Sequence, residues 1–253
     1  MSRFISLAAA ALMLVFADPA SAASTVVAVA ANFTEPAKKI AAAFEKKTGD
    51  TVTLSFGSTG SLYTQVSQGA PYEVFLAADQ ARPKRAVEKG FAVKDSEFTY
   101  AVGALVLYSL KPGLVTGPEV LKAGRFSKLA IANPDTAPYG KAAIETISKL
   151  GISGTLSDKI VKGNNIAQAY QFVASGNADL GFVALSQVIK TKGGSRWIVP
   201  AKDHTPIRQD AVLLNTGKTN PAAKAFIDFL KGPEAAKIIK SYGYRPADGA
   251  ASG

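Results

Sequence analysis

The stretch Ser55-Phe56-Gly57-Ser58-Thr59-Gly60-Ser61-Leu62 decides how this chain is interpreted. It follows a strand-like run at 51–54 and precedes a helix-like run at 62–66, so it predicts a turn from strand into helix. The first turn of a helix leaves backbone N–H groups without partners and carries partial positive charge. Its two glycines let a ligand approach the backbone, and its hydroxyls add donors. The stretch therefore predicts either an ordinary helix cap or one part of an anion site.

The same kind of turn recurs three more times along the chain. Ala31-Asn32 follows the apolar run at 25–30, the loop at 133–138 precedes a helix beginning near Tyr139, and the loop at 163–165 precedes one beginning at Ile166. In parallel sheets the carboxyl ends of the strands lie along one edge, and ligands bind there. Four helix starts, two in each half of the chain, favour a cleft that closes around a small anion.

Strand, short turn and helix repeat at 25–90 and again at 129–184, which predicts an α/β fold built on parallel sheets. The long apolar run at 100–108, with Gly103 in its middle, indicates a crossing between two lobes. Residues 207–214 return the chain to the first lobe, and helices at 221–230 and 233–241 complete it. We therefore expect residues 24–101 and 205–245 to form lobe 1 and residues 102–204 to form lobe 2.

Residues 1–23 are typical of a secretory signal peptide, with Arg3, an apolar core at 7–17 and the small-x-small site Ala20-Ser21-Ala22. Cleavage near Ala22 predicts an exported, soluble mature protein. No later segment has the roughly 18 uninterrupted apolar residues that a membrane-spanning helix needs. The tail at 246–253 is small and polar, and we expect it to be loose.

The composition of the chain argues against several classes of function. The 29 Lys and Arg residues exceed the 19 Asp and Glu residues, and the formal net charge is +10. These basic residues are scattered rather than interleaved with aromatics, so we expect no nucleic-acid partner and a mostly solvated charge that helps to attract anions. The chain has no cysteine, one histidine and no metal-ligand motif, so we expect no cofactor and no site for a free metal cation.

We expect no enzyme activity. Residues 57–60 are one residue short of a nucleophile elbow and lack the lysine of a phosphate-binding P-loop. The single histidine, His204, lies in a polar loop and is expected at the surface. A hydrolase that uses Ser58 or Thr59 as nucleophile is the alternative from another class, and it predicts labelling by a serine-directed reagent. A sensor lobe of a regulator is a third alternative, but the chain lacks a DNA-binding segment.

The donors offered by the four turns are neutral: amide N–H groups, the Asn32 side chain and the hydroxyls of Ser58 and Thr59. Each hydrogen bond to a charged partner contributes roughly 1.5–3 kcal/mol, so about five to seven suffice for roughly micromolar binding or better. A site built only of donors favours a fully deprotonated, sulfate-like or molybdate-like dianion over hydrogen phosphate. We expect Thr59→Ala to weaken such binding with little loss of fold stability.

Taken together, these residues resemble the periplasmic molybdate-binding proteins of ABC-type transporters. The resemblance covers residues 25–244 and is carried by the segments at 30–33, 56–60, 69–79, 133–140, 178–185 and 231–233. It implies a type II periplasmic-binding fold, with two α/β lobes around a hinged cleft that holds the oxyanion. It also implies a monomer in the periplasm that binds molybdate, and tungstate as well, and delivers it to a membrane permease.

The resemblance places the ligating positions on the same four turns: Ala31, Asn32, Ser58, Thr59, Tyr139 and Ile166. Tyr139 and Ile166 would contribute their backbone N–H groups. Many members of the family carry serine at the positions of Asn32 and Thr59, and both replacements keep a donor. Some members use a tyrosine hydroxyl where this chain has Ala184, so that contact is not expected here. A receptor for sulfate or another tetrahedral oxyanion is the alternative among binding proteins.

Overall fold

The computed structural model describes residues 22–247. The predicted signal peptide and the predicted tail lie outside this range, apart from residues 22–23 and 246–247. The ten strands of the described part are β1 Ser24–Ala30, β2 Thr51–Gly57, β3 Val74–Leu76, β4 Phe98–Gly103, β5 Leu105–Ser109, β6 Leu129–Ala132, β7 Ile160–Gly163, β8 Leu180–Ala184, β9 Ser195–Ile198 and β10 Ile207–Leu213. Its α-helices are α1 Thr34–Thr48, α2 Thr59–Ser67, α3 Ala81–Glu88, α4 Glu119–Ala123, α5 Pro138–Lys149, α6 Ser153–Leu156, α7 Ile166–Ala174, α8 Leu185–Val188, α9 Pro221–Lys231 and α10 Pro233–Ser241.

The strands form two five-stranded sheets with the same plan. Sheet 1 has the order β2-β1-β3-β10-β4, and sheet 2 has the order β7-β6-β8-β5-β9. The first three strands of each order are parallel to one another, whereas the last two strands run antiparallel to their neighbours. The sheets are thus mixed and not purely parallel, because the fourth strand of each is the one that the chain enters after crossing from the other sheet.

Helices cover both faces of sheet 1 because its central strand alternates its side chains between them. Val27 and Val29 of β1 pack with α1, α9 and α10, whereas Ala28 packs with α2 and α3 on the opposite face. The core of sheet 2 includes the buried strands β5, β6 and β8 together with α5 and α7. The inner strands of each sheet are buried on both faces, and for this reason they are continuous apolar runs in the sequence.

The chain crosses between the sheets in two places. The apolar run at 100–108 is divided between β4 in sheet 1 and β5 in sheet 2, with the crossing after Gly103. The second crossing joins β9 to β10 through residues 199–206. A Cβ atom added at Gly103 would lie 2.1 Å from the hydroxyl oxygen of Tyr139, so a side chain at this position cannot coexist with the observed packing. Only glycine fits at this position, because the Tyr139 side chain approaches the backbone too closely for a Cβ atom.

Several element boundaries differ from those predicted. A single 3₁₀ turn at Ala31–Phe33 separates β1 from α1, which begins at Thr34. Strand β2 continues to Gly57, beyond the strand-like run at 51–54, and α2 begins at Thr59, before the helix-like run at 62–66. The short helices α4, α6 and α8 were not predicted, because segments of four or five residues are too short to show a helical period.

Glu97 and Asp210 form a carboxyl pair where β4 meets β10. Asp210 is buried, and its carboxylate accepts hydrogen bonds from Thr99 Oγ1 at 2.6 Å and from Gln80 Nε2 at 3.2 Å. Burial, followed by the hydrogen bond to Asp210 and its charge, raises the pKa of Glu97 from 4.5 to about 7. Glu97 therefore keeps its proton in the folded protein at pH values where it is ionised in the unfolded chain.

This raised pKa predicts a pH dependence of stability. The folded state holds the Glu97 proton more tightly, so the contribution is complete below pH 4.5 and is lost as the pH rises through about 7. Because the side chain is half-exposed, we expect a loss of only about 1 kcal/mol between pH 5 and pH 8. Glu97→Gln keeps a donor to Asp210 but cannot titrate. Denaturant unfolding should show a flatter pH profile for Glu97→Gln, whereas exposed Glu234→Gln should follow the wild type.

Candidate functional site

Two of the predicted turns lie side by side at one edge of sheet 1. The pairing of Ala30 with Gly57 ends the ladder between β1 and β2 and brings the turn at Ala31–Asn32 next to Ser58. Ser58 is the N-cap of α2: its hydroxyl accepts from the N–H of Ser61 at 3.3 Å and donates to the Ser61 hydroxyl at 2.7 Å. The Ser58 side chain thus caps the helix.

Thr59, the first residue of α2, has its side chain almost completely buried. Its Oγ1 atom accepts a hydrogen bond at 3.0 Å from the N–H of Ala78, two residues after the end of β3. A hydroxyl that accepts one hydrogen bond still has its own hydrogen to donate. This contact argues against the expectation that Thr59→Ala causes little loss of fold stability, because the substitution would deprive a buried N–H of its acceptor.

The other two turns lie side by side at the corresponding edge of sheet 2. The N–H of Asn133, which follows β6, donates to the carbonyl of Gly163 at the end of β7 at 2.7 Å. Tyr139 is the second residue of α5, after Pro138 at its first position. Ile166 begins α7, and the Asn165 side chain caps that helix by accepting from two N–H groups at 2.9 and 3.0 Å.

Hydrogen bonds between the sheets bring the two pairs of turns together. The N–H of Gly60 in α2 donates to the carbonyl of Thr136, in the loop that leads into α5, at 2.8 Å. On the other side, the hydroxyl of Ser186 in α8 donates to the carbonyl of Asn32 at 2.8 Å. The N-termini of α2 and α5 therefore approach each other, and the turn after β1 lies beside α7 and α8, where a cavity of about 200 Å³ is lined by residues of both sides.

Three of the four turns offer free backbone donors. Within residues 22–247, no hydrogen bond is donated by the backbone N–H of Ser58, Thr59, Tyr139 or Ile166. Each of these groups belongs to the first turn of a helix or its cap, where no carbonyl precedes it in the helical pattern. The partial positive charge of three helix N-termini is thus concentrated in the region where the sheets meet.

Asn32 has a different environment from the one we expected. Its side chain is buried, and Nδ2 donates to Gln209 Oε1 at 2.8 Å and to the Tyr244 hydroxyl at 2.9 Å. Both amide hydrogens are therefore used by the protein, which corrects the expectation that the Asn32 side chain is a free donor. Gln209 is itself fully buried, and its Nε2 donates to the Tyr139 hydroxyl at 3.3 Å. Asn32 thus ties the turn after β1 to β10 and, through Gln209, to α5.

Three tyrosine hydroxyls belong to this buried network. Burial, as the largest cause, raises the pKa of Tyr100 and of Tyr139 well above the ordinary value, and it raises the pKa of Tyr244 to about 12. All three hydroxyls therefore keep their protons and remain hydrogen-bond donors at neutral pH. Tyr244 uses its hydroxyl to contact the carbonyl of Asn32 at 2.8 Å.

Sequence reasoning missed Gln209, Tyr244, Ser186 and Arg82. Arg82 lies in α3, forms an ion pair with Asp79, and donates from Nη2 to the carbonyl of Asp135 at 3.2 Å. None of these four residues belongs to the four turns that the sequence singled out. Their approach to the turns depends on strand order and on the two crossings, and no sequence pattern reveals it.

Features of other functional classes are sparse in the described part of the chain. Among residues 22–247, no cluster of histidine, aspartate and glutamate could hold a metal ion, and no helix has the length and apolar character needed to cross a bilayer. His204 is half-buried in the loop before β10, with Nδ1 2.8 Å from the carbonyl oxygen of Thr205. In the same range, the hydroxyls of Ser58 and Thr59 have no hydrogen bond to a histidine or lysine that could act as a base.

Comparison with known proteins identifies close relatives. The family described as bacterial extracellular solute-binding protein matches residues 25–245. The molybdate-binding protein ModA of Rhodobacter capsulatus is 57% identical over 236 residues, which cover 93% of this chain and 94% of that protein. ModA of Azotobacter vinelandii is 57% identical over 229 residues, 89% of this chain and 91% of that protein. The solved structure of the Azotobacter vinelandii periplasmic molybdate-binding protein matches with a TM-score of 0.85 and 42% identity, over 87% of this chain and 98% of that chain.

The Asn32 network predicts a difference between two asparagines. Asn32→Ala removes two buried hydrogen bonds and should lower the free energy of unfolding by about 1–3 kcal/mol. Asn164→Ala changes an exposed residue in the turn before α7 and should stay within about 0.5 kcal/mol of the wild type. Equal effects in denaturant unfolding would show that the network contributes nothing to stability.

Proposed function

The chain belongs to the family of bacterial extracellular solute-binding proteins, and from this premise we propose that it binds molybdate and delivers it to the permease of an ABC-type transporter. Two relatives that are named molybdate-binding proteins share 57% of their residues with it over most of its length. The single observation that supports this most directly is the hydrogen bond from Gly60 to Thr136, because it brings the N-termini of two helices from different sheets face to face.

The proposed site binds the anion through donors alone. In this arrangement the backbone N–H groups of Ser58, Thr59, Tyr139 and Ile166 and the hydroxyl of Thr59 surround the oxyanion. The turn at Ala31–Asn32 completes the site through its backbone, because both side-chain hydrogens of Asn32 are used elsewhere. A tetrahedral dianion presents only acceptors, so a shell of donors replaces its hydration without leaving a group unpaired.

The two sheets correspond to two lobes in this proposal. Lobe 1 comprises residues 24–103 and 205–245, and lobe 2 comprises residues 104–204. The first boundary lies two residues later than the sequence predicts, because β4 of sheet 1 continues to Gly103. The crossings after Gly103 and at 199–206 form the hinge. The mature protein, cleaved near Ala22, acts in the periplasm as a monomer and has no catalytic activity and no cofactor. Tungstate has the same charge and tetrahedral shape as molybdate, so we extend the proposal to tungstate.

Isothermal titration calorimetry with four anions tests this function. We expect molybdate and tungstate to bind with micromolar or tighter affinity, and sulfate and hydrogen phosphate to bind at least 100-fold more weakly, about 2.7 kcal/mol. Tight sulfate binding without molybdate binding would instead support the sulfate receptor. The hydrolase alternative predicts covalent modification by a serine-directed reagent, which mass spectrometry of the treated protein would detect.

Substitutions at Thr59 test the site itself. Thr59→Val keeps the shape of the side chain but removes the hydroxyl, so molybdate affinity should fall by about 1–3 kcal/mol. Stability should fall as well, because the N–H of Ala78 loses its acceptor. Thr59→Ser keeps the hydroxyl and should bind within threefold of the wild type. Calorimetry and thermal melting measure both effects, and a Thr59→Val variant with full affinity would exclude the hydroxyl from the site.

A further inference from the structure

Two hydrogen bonds from lobe 1 meet consecutive carbonyl groups of lobe 2. The N–H of Gly60 donates to the carbonyl of Thr136 at 2.8 Å, and Arg82 Nη2 donates to the carbonyl of Asp135 at 3.2 Å. We call these four residues the clasp. Gly60 follows Thr59 in the chain, so the clasp is adjacent to the proposed anion site without contributing donors to it.

Gly60 has a steric reason to be glycine. It lies in the first turn of α2, where alanine favours the helix more than glycine does. It does not adopt a positive φ angle, so its backbone conformation does not require glycine. A Cβ atom added there would lie 3.0 Å from the Cα and carbonyl oxygen of Thr136 and 3.2 Å from Arg82 Nη2. Glycine therefore permits the approach of the two lobes.

Each side of the clasp is also held by hydrogen bonds within its own lobe. Asp79 fixes Arg82 through an ion pair and also accepts the N–H of Arg82 at 3.0 Å. On the other side, Asn133 Oδ1 accepts the N–H of Asp135 at 3.1 Å, and the Asn133 carbonyl accepts the N–H groups of Thr136 and Ala137 at 3.3 and 2.9 Å. The two carbonyls are thus presented toward lobe 1 by a closed turn.

We propose that Arg82 and Gly60 determine the affinity for the anion by holding the lobes closed over it, although neither binds the anion itself. This inference rests on the proposed function. An anion enclosed by both lobes dissociates only when they separate, so interactions made only in the closed form slow its release and raise the apparent affinity. Arg82 is a positioning residue in this scheme, and its guanidinium acts on a backbone carbonyl of the opposite lobe.

Arg85 provides a matched control. It lies one turn further along the same helix, carries the same charge and lines the same cavity of about 540 Å³ between the lobes. It is exposed, and its guanidinium stacks over the Tyr63 ring within lobe 1, 5.8 Å from the ring centroid. A general electrostatic attraction of the anion would be weakened about equally by Arg82→Ala and Arg85→Ala, whereas loss of the clasp would appear only in the first variant.

The test uses radiolabelled molybdate bound to the purified full-length mature protein and chased with unlabelled molybdate. Arg82→Ala and Gly60→Ala should each release the label at least tenfold faster than the wild type, with association rates changed less than threefold. Arg85→Ala should stay within twofold in both rates. Small-angle X-ray scattering at saturating molybdate should show a larger radius of gyration for the two clasp variants than for the wild type.

Melting temperatures of the ligand-free variants distinguish a role in lobe closure from a role in fold stability. The melting temperature of ligand-free Gly60→Ala should not fall, because alanine favours the helix, so weaker binding cannot be attributed to unfolding. If Arg82→Ala does not fold, Arg82→Gln keeps a donor for Asp79 but is too short to reach Asp135. The proposed role of the clasp would be wrong if Arg82→Ala and Gly60→Ala released molybdate as slowly as the wild type. It would also be wrong if Arg85→Ala accelerated release equally. A wild type that binds no molybdate would overturn the proposed function itself.

Discussion

The first-turn amides of three helices, α2, α5 and α7, are the constraint on which this structure depends. A helix cannot satisfy these N–H groups by itself, and a buried donor without a partner is costly. The protein meets part of this demand with the caps at Ser58 and Asn165. The groups that remain lie at the carboxyl edges of two sheets and converge where the sheets meet. In the proposed function, the same deficit that would destabilise an ordinary core supplies the donors for the anion.

A buried polar network sets the geometry of this region. A set of five residues connects the turn after β1, strands β4 and β10, helix α5 and the segment after α10: Asn32, Gln209 and the hydroxyls of Tyr100, Tyr139 and Tyr244. Each of these hydroxyls has a raised pKa because it is buried, so the network does not change its protonation near neutral pH. Such a network fixes distances between elements that lie far apart in the chain, and it supports donors without carrying charge.

Gly60 and Gly103 matter because they lack a Cβ atom and leave room for neighbouring atoms, and neither has a positive φ angle. Gly103 leaves room for the Tyr139 hydroxyl at the crossing, and Gly60 leaves room for the loop before α5. One allows a lobe 2 side chain to enter lobe 1, and the other allows the two backbones to meet. Both positions depend on atoms from the opposite sheet, so their role follows from how the sheets are arranged against each other.

The sequence by itself determined the α/β class, most of the strands and helices, and the four turns, because hydrophobic period, caps and glycines act over a few neighbouring residues. It did not show that the sheets are mixed, that both hydrogens of the Asn32 amide are used by Gln209 and Tyr244, or that Arg82 reaches Asp135. Those contacts join residues separated by 53 to 212 positions. Only the tertiary structure decides them, because they follow from strand order and from how closely the two sheets and their helices approach each other.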